Sequence, residues 1–281
     1  MYRQVINEFP DSDRAGEAVS GIMDSYLSRG QVDRAIGLID EYLAQSPHGR
    51  MADTMLSKKG DLYYNMKRYD EARQAYNQLV ERYPRSEHVP YAMYWRAMAS
   101  YDGGDVDTAV DSFKKLKEAF PDHDYGALAS MKLGDTFASR GQYGEAVRYY
   151  DAVISQRKGD TLGLEAQFKK GRTQMLSGDA AASERTLRSL IADHPNDIMA
   201  HQARLELAEM LLDHGDYDEA VRFAEIVIEN LLDEHAAHAQ YIIGKRYFLA
   251  GDYQRAFDEL MRVTILYKNV KNYEEWAARS K

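Results

Sequence analysis

The chain has 281 residues, of which 44% are hydrophobic and 29% charged, the balance of a folded protein rather than a disordered or fibrous one. Its 45 acidic and 36 basic residues leave a formal charge of -9, the wrong sign for a protein that binds by neutralising phosphates, which argues against nucleic acid and anionic membrane surfaces as partners. Cysteine is absent, which excludes disulfides, thiolate metal sites and thiol nucleophiles, and no stretch approaches the ~20 apolar residues of a membrane span.

In chain order, residues 1–9 (MYRQVINEF) fit the second helix of a helix pair and stop at Pro10. From there the sequence repeats itself. Pro10, Pro47, Pro84, Pro121 and Pro195 are separated by 37 residues or twice 37, and Gly30, Gly104, Gly141, Gly178 and Gly215 keep the same spacing. Lys67 fills one glycine slot, and Gly251 arrives one residue early. Five residues after each slot stands a small residue: Ala35, Ala72, Ala109, Ala146, Ser183, Ala220 and Ala256. Three tracks on one period indicate a repeat array.

Each period predicts two helices, antiparallel because the turn between them is short. The glycine takes the left-handed conformation that ends the first helix, and Asp105, Asp179, Asp216 and Asp252 cap the second. The proline ends the second helix, and Asp11-Ser12, Arg85-Ser86 and Asn196-Asp197 cap the next pair. Pro90, out of phase, belongs in a first helical turn, where its missing N-H costs nothing. Seven pairs fill residues 12–268 of a single solenoid over 1–281, and residues 269–281, with Trp276, open a further first helix. Both ends therefore predict a fragment of a longer protein, since arrays normally finish in polar capping helices.

A second small-residue slot lies twelve positions before the third track, with Gly60, Ala97, Gly134, Gly171, Ala208 and Gly244, and Met23 as the exception. Glycine inside a helix costs roughly 0.5 to 1 kcal/mol relative to alanine, so its recurrence predicts close approach of the partner helix, small residue facing small. Four and seven residues after the third-track residue come Ile39, Tyr76, Phe113, Tyr150, Leu187, Ala224 and Leu260, then Tyr42, Leu79, Leu116, Val153, Leu190, Val227 and Val263. They form the buried stripe of each second helix.

These residues resemble the tetratricopeptide repeat (TPR). The fourth repeat reads Leu133-Gly134, Phe137, Gly141, Ala146 and Tyr150, and the sixth Leu207-Ala208, Leu211, Gly215, Ala220 and Ala224. The departure is the period, 37 instead of 34, which places extra residues at the joints. The joint Tyr83-Pro84-Arg85-Ser86 is similar to those of a bacterial cell-envelope subgroup, which includes the Tol-Pal-associated periplasmic TPR protein and the TPR lipoprotein of the outer-membrane assembly machine. The resemblance implies an all-α, right-handed superhelical solenoid whose first helices line a concave groove, and a non-enzymatic role in binding a protein or peptide. It implies a periplasmic or envelope location, with the cytoplasm as the alternative.

No catalytic constellation and no cofactor motif stands out: there is no Gly-rich phosphate loop and no nucleophile elbow. His235 and His238, one helical turn apart beside Asp233 and Glu234, have a spacing that could hold a metal, but a solvated helix start accounts for them with no further ligand required.

The groove slots fall three before, one after and four after the small residue of the first helix. The outer two slots are mostly apolar and pack largely against neighbouring repeats. Between them come Asp24, Asp61, Met98, Asp135, Arg172, Glu209 and Lys245, acidic in the first half. The third repeat stands apart, because Tyr91, Tyr94, Trp95, Met98 and Tyr101 put more large side chains on one helix than one buried stripe absorbs. With Tyr64, Asp24, Asp61 and Asp135 they are the candidate partner-binding residues, suited to a peptide with apolar anchors and basic residues. Two further expectations are end-to-end self-association and, as the rival reading, a targeting array of a longer enzyme.

Overall fold

The computed structural model describes residues 12–280, so the helix predicted over 1–9 and the residues Pro10 and Asp11 lie outside the described residues. Among those described there are fifteen helices and no strands. The first helices of successive pairs are α1 (Asp13–Leu27), α3 (Ala52–Asn65), α5 (Val89–Asp102), α7 (Asp124–Ser139), α9 (Thr161–Leu176), α11 (Ile198–His214) and α13 (Glu234–Leu249). The second helices are α2 (Val32–Gln45), α4 (Tyr69–Arg82), α6 (Val106–Ala119), α8 (Tyr143–Gln156), α10 (Ala180–Asp193), α12 (Tyr217–Asn230) and α14 (Tyr253–Leu266), and α15 (Tyr273–Arg279) follows. The helices group into two compact units, one up to Thr136 and one from Phe137, and consecutive helices pack together from α1 to α6 in the first and from α8 to α15 in the second.

The turn slots behave as the period predicts. Gly30, Gly104, Gly141, Gly178, Gly215 and Gly251 all have φ between 69° and 90°, and Lys67 is forced to φ 58° in the slot where it replaces glycine. Asp105, Asp179 and Asp252 accept a hydrogen bond from the backbone N-H of Thr108, Ala182 and Arg255. Asp216 departs from the expectation. It has the same N-cap backbone, φ −83° and ψ 60°, but makes no capping bond, because an exposed first turn can be hydrated instead. At the joints Ser12 and Asp197 cap α1 and α11. Ser86 does not cap α5: that N-cap is His88, and Ser86 braces the turn by accepting from the His88 N-H and donating to Asp53. Pro90 lies in the first turn of α5.

The predicted stripe forms the core. Tyr42, Tyr76, Phe113, Tyr150, Leu187 and Leu190 are each at most 2% exposed, and every third-track residue from Ala35 to Ala256 is buried. Leu260 alone among the stripe residues is only half-buried. The helix-interior glycines have a different partner from the one the pattern suggests. A Cβ on Gly60 would meet the Tyr76 ring at 2.4 Å, one on Gly171 would meet Leu187 at 2.6 Å and one on Gly244 would meet Leu260 at 2.5 Å. The missing side chain makes room for the large stripe residue four positions beyond the small one.

Candidate partner-binding face

In the first unit, α3, α5 and the start of α7 carry a continuous aromatic cluster centred on Trp95. Its ring lies 4.9 Å from Tyr64, 5.6 Å from Tyr94 and 6.1 Å from Tyr91. Tyr125, at the start of α7, closes the cluster at 5.7 Å from Tyr91 and 5.5 Å from Tyr94, and His123 stacks on Tyr125 at 5.6 Å. Most of these pairs are edge-on or tilted, the arrangement aromatic quadrupoles favour, worth ~0.5–1.5 kcal/mol per pair beyond burial.

The geometry shows how one helix carries so many large side chains. Positions 91 and 95 are one turn apart and face α3, where the Tyr91 hydroxyl reaches Asp61 and Trp95 meets Tyr64. Tyr94 turns the other way, towards Phe113 on α6 at 5.6 Å and towards Tyr125. The excess is thus shared among three neighbouring helices. As a result Tyr64, Tyr91, Tyr94, Trp95, Met98 and Tyr101 are all half-buried, each leaving part of its surface to solvent.

Carboxylates border the cluster. Asp61 Oδ1 accepts from both Tyr76, at 2.7 Å, and Tyr91, at 2.6 Å, which leaves Oδ2 without a donor among the described residues. Asp102 accepts from the Tyr64 hydroxyl. Burial, then the neighbouring carboxylates, push the phenols of Tyr64, Tyr76 and Tyr91 well above their ordinary range, so all three stay protonated and donate. The Tyr94 phenol is also raised, by burial first, then by the neighbouring Tyr125 phenol and the charges of Asp102 and Asp135. Lys132 sits over the Tyr101 ring at 4.4 Å, showing that the edge of this cluster accommodates a cation on an aromatic face. Asp24, by contrast, stands exposed on α1 and is not drawn into the cluster.

Sequence spacing missed Tyr125 and Asp102. Tyr125 falls nine residues before Gly134, outside the counted slots, and Asp102 is one residue past Tyr101. A search for aromatic residues in the first turn of the next repeat would have found Tyr125.

The histidine pair of the second unit is engaged elsewhere and is not a solvated helix start. His235 bonds Asp233 at 3.1 Å and Gln202 at 3.1 Å, while His238 bonds Glu209 at 3.0 Å and stacks on Trp276 at 3.7 Å. Among the described residues no group of three or more His, Cys, Asp or Glu could hold a metal ion. No helix there is long and apolar enough to cross a membrane.

Models of the tetratricopeptide repeat match residues 21–87, 57–124 and 129–162, and a model of the tetratricopeptide repeat-like domain matches residues 148–259. No curated protein matches the chain in sequence. Among solved structures, the C-terminal part of a TPR repeat-containing protein from Cytophaga hutchinsonii is 13% identical with a TM-score of 0.67, covering 91% of this chain and 98% of that one. A tetratricopeptide repeat protein from Parabacteroides merdae is 16% identical with a TM-score of 0.56, covering 95% and 99%. YrrB, described as a TPR protein with an unusual peptide-binding site, is 18% identical with a TM-score of 0.50, covering 72% and 96%.

Proposed function

Because the chain is a tetratricopeptide repeat protein over the residues these models match, we propose that it is a non-enzymatic scaffold that holds a protein or peptide partner against the first helices of its first unit. The observation that carries this reading is the Trp95 cluster: half-buried aromatic rings from α3, α5 and α7, bordered by Asp61, Asp102 and Asp135. Rings already packed against one another lose little side-chain freedom on binding, so a partner supplies most of the ordering cost. The partner that fits has apolar anchors for the gaps between rings and Arg or Lys for the aromatic faces and carboxylates. Tyr64, Tyr91, Tyr94, Trp95, Met98 and Tyr101 serve as the anchoring surface, with Asp61 and Asp135 as the charge complement and Asp24 as an outlying carboxylate. The peptide-binding description of YrrB supports the class of activity.

A place in the bacterial envelope, in outer-membrane maintenance or assembly, is the cellular setting this reading carries. It is supported by the joint Tyr83-Pro84-Arg85-Ser86 and by a chain free of cysteine, which suits an oxidising compartment. The binding test is a pull-down from the source cell with the wild-type chain, Tyr94→Ala and Trp95→Ala, each verified as folded by circular dichroism. The reading expects partners to be lost from both variants. Retention of every partner by both would reject it.

A further inference from the structure

The second unit exposes an apolar stripe that the other repeats do not have. On α14, Tyr253, Phe257, Met261 and Ile265 follow one another at intervals of four, and Phe248, from the end of α13, extends the row by packing its ring 5.6 Å from Tyr253. Tyr253, Phe257 and Ile265 are 66%, 62% and 59% exposed. From the ~150–250 Å² that each aromatic side chain presents, the row leaves on the order of 500 Å² of apolar surface in water. That is at the upper end of what one folded chain tolerates in a single patch, and more than half of what each partner buries in a stable interface.

The protein's own repeats show what this face is not for. Five positions after the third-track residue, where Met261 stands, the six earlier second helices carry Asp40, Asn77, Lys114, Asp151, Arg188 and Glu225. Nine positions after it, where Ile265 stands, they carry Ala44, Glu81, Glu118, Ser155, Ala192 and Glu229, and all six of these are exposed although another helix pair follows each. A further repeat stacked in line would therefore cover Tyr253 and Phe257 and still leave Ile265 in water. The occupant has to run along the whole of α14.

We infer that the occupant is a second copy of this chain, with the two α14 helices packed antiparallel about a two-fold axis. Asp258 and Arg262 lie one turn apart on the solvent edge of the stripe. In an antiparallel pair the same edges meet, so Asp258 of each copy comes within side-chain reach of Arg262 of the other, twice by symmetry, whereas in a parallel pair opposite edges meet and the two residues are held on different sides of the seam. Within one copy Asp258 receives only a long bond from Gln254, 3.4 Å, and Arg262 pairs with Glu259 at 2.9 Å, an exposed contact that costs little to exchange. The row itself is self-complementary: Tyr253 meets Ile265, and Phe257 meets Met261.

The test is sedimentation equilibrium of the 281-residue chain, without added peptide, from about 1 µM to about 200 µM. The expected result is a reversible rise to twice the monomer mass and no further. Ile265→Glu, which places at this slot the residue three other repeats already carry, should abolish the rise and leave the thermal melt unchanged. Asp258→Arg and Arg262→Asp alone should each weaken association at least ten-fold, and the double swap should restore it. A wild-type chain that stays monomeric throughout, an open-ended series of larger sizes, or an Ile265→Glu variant that still doubles would each overturn the inference. Because no partner peptide is present, failure here leaves the Trp95 reading to its own test.

Discussion

The ring of Tyr76 occupies the space a methyl group on Gly60 would need: a Cβ there would lie 2.4 Å from Cε1. Tyr76 cannot yield, because it is fully buried and its hydroxyl is held at 2.7 Å by Asp61. Gly60→Ala should therefore destabilise the first unit, with an overpacking cost of ~1–3 kcal/mol exceeding the helix-propensity gain of ~0.5–1 kcal/mol. Gly37→Ala on α2, where nothing lies within 4 Å of the added carbon, should show that gain alone. Urea midpoints of the two variants should move in opposite directions.

Lys67 holds the left-handed turn that glycine makes in the other repeats, at φ 58°. An L-residue in that conformation costs roughly 1–2 kcal/mol, part of which glycine gives back by loosening the unfolded chain. Lys67→Gly should raise stability by about 0.5–1 kcal/mol, measured in the same urea titration. Equal or lower stability would mean that the Lys67 backbone is not strained.

Ser183 replaces alanine in the third track, fully buried, and its Oγ has no hydrogen-bond partner among the described residues. A buried hydroxyl left unpaired costs ~1–3 kcal/mol. Ser183→Ala should stabilise the second unit by about 1 kcal/mol, and a loss of stability would mean that the hydroxyl is satisfied.

Glu209 sets a pH dependence. Burial alone would raise its carboxyl, but hydrogen bonds from His238, 3.0 Å, and Lys245, 2.6 Å, outweigh burial and hold it down to about 2. A carboxyl depressed in the fold adds stability that is complete above its ordinary value, ~4.3, and is lost as pH falls towards the depressed one. Glu209→Gln should be less stable than wild type at pH 7, with the gap closing between about pH 5 and pH 2. Parallel pH curves for the two proteins would contradict this.

Much of the fold could be read from the spacing of residues. The turn at Lys67 and the buried stripe through Tyr76 follow from a period that prolines and glycines mark independently, because backbone conformation and burial depend on a residue's phase in its own helix. Side-chain partners depend on neighbours as well. The pattern therefore put Ala72 opposite Gly60 where the structure puts Tyr76, and it could not divide Tyr91 and Trp95 from Tyr94 between opposite neighbours. Tyr125 and Asp102 fell just outside the counted slots. The stacking of His238 on Trp276 joins residues 38 positions apart in different elements, which no local motif encodes.

The central claim, that the Trp95 cluster receives a basic and apolar segment, is most directly tested by the tryptophan itself. The chain has two tryptophans, so Trp276→Phe leaves Trp95 as the sole reporter. Titration with a short peptide of Leu, Phe and Arg should shift its emission saturably, and Asp61→Asn should weaken the response. An acidic peptide with the same Leu and Phe residues should leave the emission unchanged. Equal responses to the two peptides, or no response to either, would contradict the account.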